Sequence, residues 1–164
     1  AESGVSVIAN PLINITLQGR NDTYPKRRGM TRVPELMNAG VNVAFGHDCV
    51  MDAWYSLGSG DMLEVAHMGL HVAQMTSQDG MRRCFDAVTT NAAKVMHLEG
   101  YGLEVGCDAS FVLLQARDPI EAIRLRATRL KVFRKGELVA ETPPATPALH
   151  LEGRPHETNW MQAC

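Results

Sequence analysis

The chain has no run of the roughly 18 apolar residues that a membrane-spanning helix needs. It also has no Cys-x-x-Cys pair and no His-x-His pair. Its four cysteines, Cys49, Cys84, Cys107 and Cys164, are widely and irregularly spaced. That spacing argues against a zinc ribbon or a disulfide framework, and for free thiols in a reducing compartment. An excess of charge is missing as well. A formal net charge of −2 gives no general attraction to nucleic acid or to an anionic membrane surface. The opening Ala-Glu-Ser-Gly has neither the basic nor the apolar region of a signal peptide, so the cytoplasm is the expected location. No initiator methionine stands at the start, and the expectation is an excerpt of a longer polypeptide.

What is present describes a globular domain. Of 164 residues, 45% are hydrophobic and 21% charged, a balance unlike that of a disordered chain. A domain of this size buries roughly 70% of the surface its unfolded chain exposes.

The most informative stretch is Val41-Asn-Val-Ala-Phe-Gly-His-Asp48. Val41, Val43, Ala44 and Phe45 read as a fully buried strand, of the kind found in parallel sheets covered on both faces. Gly46 allows a sharp turn, which places His47 and Asp48 where the strand gives way to a loop. In barrels of alternating strands and helices, catalytic groups project from that C-terminal strand edge. A carboxylate there can ligate a metal, act as a base, or cap the following turn.

The flanking sequence predicts a βαβ-like first part. Residues 5–9 form a buried strand halted by Asn10-Pro11, and a polar loop with Arg20, Lys26, Arg27 and Arg28 fills residues 18–29. Thr31 is a plausible N-cap for a helix with Pro34 in its first turn, ended by Gly40. Strand, loop, helix and strand at this spacing make one crossover between parallel strands. A long loop covers residues 49–60; loops of that length in compact domains are usually functional. Asp61 caps a helix running to about Met75, Asp79-Gly80 breaks it, and a second helix spans residues 81–98 with Phe85, Val88, Ala92 and Val95 on one face. Beyond Tyr101 the period changes to two. Strands are predicted over residues 110–114, 130–134 and 138–140, with Lys135-Gly136 as a tight turn. The proline-bearing tail (Pro143, Pro144, Pro147, Pro155) reads as extended.

Several motif candidates fail on inspection. His67 and His71 share a helix face at i and i+4. A zinc protease would place Glu directly after the first, where Met68 stands, so these read as core or interhelical histidines. Gly58-Ser-Gly60 lacks the third glycine of a phosphate-binding turn, and no strand immediately precedes it. The basic residues Arg124, Arg126, Arg129, Lys131, Arg134 and Lys135 have acidic neighbours and read as a solvated face. Lys26-Arg27-Arg28 is a plain surface loop, or a grip for a subunit partner or an anion.

Wording adds what periodicity cannot. The segments Asn10-Pro-Leu-Ile-Asn-Ile-Thr-Leu-Gln-Gly-Arg20 and Asp22-Thr-Tyr-Pro-Lys-Arg-Arg-Gly29 closely resemble bacterial cytosine deaminases of the amidohydrolase superfamily. So do Phe45-Gly-His-Asp48 with Asp52-Ala-Trp54, Met62-Leu63, His67-Met-Gly-Leu-His71 and Thr89-Thr-Asn-Ala-Ala93. Tyr101-Gly-Leu-Glu-Val-Gly106 with Asp108-Ala109 is a pattern common across that superfamily. The resemblance fades after about Pro144.

It implies an α/β fold: the C-terminal portion of a metal-dependent (β/α)8 TIM-like barrel in residues 1–100. Residues 101–164 would then be part of a small β-sandwich with a C-terminal tail. It also implies that Asp48 matches the acid at the end of the last barrel strand, as metal ligand and catalytic proton carrier. In such enzymes a water activated by a divalent metal, Fe2+ or Zn2+, attacks the ring carbon bearing the amino group. A metal lowers the pKa of water from about 15.7 to about 7, and a carboxylate within reach can shuttle the proton. Trp54 matches an aromatic residue packed against the pyrimidine. The small zinc nucleoside deaminases solve the problem differently, pairing His-x-Glu with Pro-Cys-x-x-Cys, and the cysteine half is absent here.

Two departures qualify the resemblance. The remaining metal ligands, a His-x-His pair and histidines on middle strands, are absent from this chain. One carboxylate does not make a catalytic site that usually needs three protein ligands. The isolated chain is therefore expected to be inactive and poorly folded. Second, Cys49 stands where such enzymes commonly carry another aspartate facing the substrate. Cysteine is small and a weak hydrogen-bond partner, so Cys49 implies a roomier, less polar pocket that accepts a 5-methyl group. Three function classes stay open: a deaminase of aminopyrimidines, an amidohydrolase of another cyclic amide or amino-heterocycle, and a non-catalytic truncated remnant. The implied partner is a small aminopyrimidine, with neither nucleic acid nor membrane, and a homo-oligomer stays open.

Overall fold

The structure, a computed structural model, describes residues 2–154 and 156, so Pro155 and Cys164 lie outside it. Helices and strands are mixed: β1 (Val7–Ala9), α1 (Pro11–Leu17), α2 (Val33–Asn38), β2 (Val43–Phe45), α3 (Met62–Val72), α4 (Gln78–Ala87), α5 (Thr90–Val95), β3 (Phe111–Leu114), α6 (Pro119–Leu125), β4 (Arg129–Arg134) and β5 (Glu137–Glu141). Strands β1 and β2 pair in parallel, with Val7 opposite Val43 and Ala9 opposite Phe45. Strands β3, β4 and β5 form an antiparallel sheet in that order. Lys135 and Gly136 join the last two, both at positive φ (49° and 85°), as a two-residue hairpin turn requires.

The core lies between the parallel pair and the helices. Val33, Val43, Val65 and Ile123 are fully buried, each contributing about 1.5–3 kcal/mol by leaving water. Phe45 packs onto Gly69 of α3 so closely that a Cβ there would overlap its ring, so only glycine lets this helix close on β2. Ile120 and Ile123 of α6 join the same core, and the His67 ring donates from Nδ1 to the Ile123 carbonyl at 3.2 Å. His67 is thus interhelical, as expected, whereas His71 is exposed.

Several expectations need correction. The 5–9 strand is shorter and only partly buried: β1 covers Val7–Ala9, Val5 lies before it and is 62% exposed, and Ile8 is 53% exposed because a two-stranded sheet leaves one face of β1 bare, while Ala9 is buried. Helices α1 and α6 went unforeseen. Each begins with proline at its first position, where the missing N–H is no loss. Arg32, not Thr31, caps α2, and without a side-chain bond. Asp79-Gly80 does not break a helix but lies in the first turn of α4, whose cap is Ser77, accepting from Gly80 N at 3.0 Å. The expected 81–98 helix is two helices. They part at Thr89, whose hydroxyl bonds back to the Phe85 carbonyl at 2.8 Å and whose backbone leaves the helical region. The buried face accordingly runs through Met81, Cys84 and Ala87.

Asp61 caps α3 as expected, accepting from Leu63 N at 2.7 Å. It also takes a two-pronged ion pair from Arg129 of β4, with Nη1 to Oδ2 at 2.9 Å and Nη2 to Oδ1. Burial raises the Asp61 pKa, but the Arg129 guanidinium and the α3 amides outweigh it, and the carboxyl ends below its ordinary value. A depressed folded-state pKa contributes stability above the unfolded value of about 3.9, lost as pH falls through the folded value. In the full-length polypeptide, Asp61→Ala is expected to lower the unfolding free energy by about 2–3 kcal/mol, from a lost cap and a stranded half-buried guanidinium. Asp61→Asn should recover the capping part. Urea unfolding followed by circular dichroism at pH 7 measures both, and an alanine variant within 0.5 kcal/mol of the parent, on the scale of an ordinary surface change, would contradict this.

Candidate functional site

The site grows from the ends of the two parallel strands. The register puts Asn10 beside Gly46, each one residue past its strand. Asp48 follows two residues later in the left-handed region (φ 66°), which Asp tolerates better than most side chains. Its carboxylate is exposed at this strand edge. Oδ2 accepts from Asn10 Nδ2 at 2.9 Å, and Oδ1 accepts from the Cys49 thiol at 3.2 Å. No ion pair to a cationic side chain involves Asp48 among the described residues.

The turn is held from beneath by His47, which is only 8% exposed. Its Nδ1 lies 2.9 Å from the Cys49 carbonyl. A carbonyl only accepts, so Nδ1 carries the hydrogen and spans Asp48 from one side to the other. Nε2 is buried and has no hydrogen-bond partner among the described residues. The ring sits edge-on to Tyr55 at 6.3 Å between centroids.

The loop beyond is internally tied. Asp52 Oδ1 accepts from Trp54 N at 2.8 Å and Tyr55 N at 2.9 Å, and Met51 N donates to Leu57 O at 2.9 Å. Those amides hold the Asp52 carboxyl below its usual range. Hydrogen bonding to Asp48 and then to Asp52 pushes the Cys49 thiol up to about 12. At neutral pH it is an uncharged donor.

The three residues singled out by sequence are thus placed unequally. Asp48 and Cys49 touch. Trp54 stands on the same loop with its side chain 68% exposed. Sequence reading missed Asn10 as anything but a strand breaker, and missed Asp52 and His47 as the props of the turn. The signal for Asn10 was its position: a polar residue ending one strand at the same level as the residues ending its parallel neighbour.

As to a metal, Asp48 fits as one ligand: an exposed carboxylate whose Oδ2 is held by the Asn10 amide, the usual outer-shell arrangement, while Oδ1 carries only the weak Cys49 thiol donor. Among the described residues, no group of three or more His, Cys, Asp or Glu side chains is placed to hold an ion. No helix among them is long and apolar enough to cross a membrane.

Residues 1–141 match the model of the amidohydrolase family, and the chain belongs to that family. Among solved structures, it is similar to 5-methylcytosine deaminase from Klebsiella pneumoniae liganded with 5-fluorocytosine. That likeness carries 40% identity and a TM-score of 0.81, covering 92% of this chain and 36% of that one. Pterin deaminase of Rhizobium rhizogenes is 30% identical over 146 residues, 88% of this chain and 33% of the relative. N-isopropylammelide isopropyl amidohydrolase of a Pseudomonas species is 30% identical over 110 residues, 66% of this chain and 27% of the relative. The chain therefore spans about a third of the length of the proteins it matches.

Proposed function

We propose that this chain is the C-terminal part of a metal-dependent hydrolytic deaminase acting on cytosine or a 5-substituted aminopyrimidine. The observation that carries it is Asp48: an exposed carboxylate with no ion-pair partner among the described residues, in a left-handed turn just past the C-terminal end of a buried parallel strand, held by Asn10 and Cys49. The likeness to a 5-methylcytosine deaminase supports the substrate class. Two 30% identical relatives named for pterin and N-isopropylammelide support the broader alternative, another amino-heterocycle. Strands β1 and β2 with α1 to α5 would belong to a (β/α)8 barrel, and the antiparallel sheet to an accessory sandwich. The exposed apolar residues Val5, Ile8, Val112 and Val139 support further strands covering these faces. The enzyme is read as cytoplasmic, with oligomerisation left to measurement.

A divalent cation, zinc or iron(II), would supply an activated water when bound. Asp48 would hold it as one of several ligands, and within hydrogen-bond reach of the substrate would move a proton toward the departing amine. Cys49, neutral and small, lines the substrate side of that carboxylate. Trp54, on the ordered loop, offers a flat ring to the pyrimidine.

The 164-residue chain alone is expected to release no ammonia from cytosine, since it brings one ligand where about three are usual. Steady turnover by it would overturn the partial-enzyme reading. The full-length polypeptide is expected to release ammonia from cytosine and 5-methylcytosine, and a panel including pterin and N-isopropylammelide separates the two substrate readings.

A further inference from the structure

We propose that Asn10 is a positioning residue for the Asp48 carboxylate: its amide holds Oδ2 and leaves Oδ1, which carries only a weak thiol donor, for the cation. The inference rests on Asp48 being a metal ligand, as set out above. Asn10 occupies the N-cap of α1, and its carbonyl accepts the first helical bond from Asn14 N at 2.9 Å. An asparagine there normally turns its side chain onto the helix amides, a contact worth about 1 kcal/mol. Asn10 makes no such bond. Its Nδ2 reaches instead across 38 residues of sequence to Asp48 Oδ2 at 2.9 Å. The amide orientation follows from chemistry, because a carboxylate only accepts.

A second feature points the same way. A Cβ added at Gly46 would lie 2.5 Å from Asn10 Oδ1, so the strand facing this side chain has been left without one of its own. The parallel register Ala9↔Phe45 brings the two positions together. A local rule of helix capping is thus broken at the point where the site needs a donor, the pattern expected of functional positions. Outer-shell partners of this kind fix the ligand's orientation, and their loss typically lowers metal affinity or activity 10–100-fold.

Capping and positioning are separable by substitution. Aspartate caps a helix as well as asparagine but offers no donor to Asp48, and it sets a second carboxylate against the first. In the full-length enzyme, Asn10→Asp is expected to lose about 10–100-fold in zinc affinity, read by chelator competition, and a similar factor in kcat. KM should stay within about threefold, because the proposed role of Asn10 is exerted on Asp48 and not on substrate. Asn10→Ala should also lose zinc affinity, and it decides the matter where the aspartate variant fails to fold. Zinc affinity within twofold of the parent in the folded variants, with or without a lowered melting temperature, would assign Asn10 to the helix and overturn the proposal. Asp48→Ala is the companion arm. If that variant keeps zinc, the ligand reading of Asp48 fails and the role of Asn10 with it. If it loses zinc while the Asn10 variants keep it, only the role of Asn10 fails.

Discussion

Replacing Asp48 by alanine in the full-length enzyme is expected to lower kcat/KM for its aminopyrimidine by on the order of 10³-fold, about 4 kcal/mol of transition-state stabilisation, and to strip most of the bound cation. The size follows from a ligand set of about three, where the loss of one leaves the ion loosely held. Asp48→Asn separates the two roles of the carboxylate. An amide oxygen can still face a cation, but the side chain neither carries a negative charge nor takes up a proton. The asparagine variant should therefore retain more metal than the alanine variant while turning over almost as slowly. If it instead matches the parent in kcat, Asp48 carries no proton in the reaction. If the alanine variant keeps both metal and kcat/KM within tenfold, Asp48 is not the ligand. Chelator-stripped protein given back zinc or iron(II) identifies which cation supports turnover.

How much of this was legible in the sequence depends on how local each signal was. Strand β2 and the acid three residues beyond it could be read because a continuous apolar run needs no partner to be recognised; the structure finds Val43, Ala44 and Phe45 all buried, though Val41, expected in the same buried strand, precedes it and is half-buried. The cap at Asp61 was equally local, two residues from the amide it accepts. The hairpin at Lys135-Gly136 announced itself through its turn residues. Helices α1 and α6 were hidden by Pro11 and Pro119, which look like breakers until a preceding residue is seen to act as cap. Gly80 misled in the same manner; its lack of a Cβ serves a close approach to the Met75 carbonyl, not a helix end. The non-local parts could not be read at all. The Asn10–Asp48 bond, the Arg129–Asp61 pair and the His67–Ile123 contact each join residues 38 to 68 positions apart. Such contacts exist only once the topology is known. Resemblance to a family marked Asp48, Cys49 and Trp54, yet the geometry joins only the first two and leaves the Trp54 ring exposed on its loop.

Exchanging Cys49 for aspartate is expected to shift substrate choice away from 5-methylcytosine and toward cytosine by about 10–100-fold in the ratio of kcat/KM values. Pockets that accept or refuse one methyl group discriminate by about 1–3 kcal/mol, which sets this scale. The reason lies in the proposed place of Cys49 on the substrate side of Asp48. Cys49 stands beside Asp48, its sulfur 3.2 Å from Oδ1, partly buried against the apolar core, and it stays a neutral thiol at working pH. In that proposed placement an aspartate would add a charge and a polar oxygen beside the 5-substituent, and two adjacent carboxylates would bind water that a methyl group must displace. Cys49→Ser holds the volume nearly constant and adds only a stronger hydrogen bond, so it should move the ratio by less than Asp does. Initial rates on the two pyrimidines at matched metal content measure all three proteins. A ratio unchanged in the aspartate variant would place the 5-position elsewhere and leave Cys49 as packing beneath the Asp48 turn.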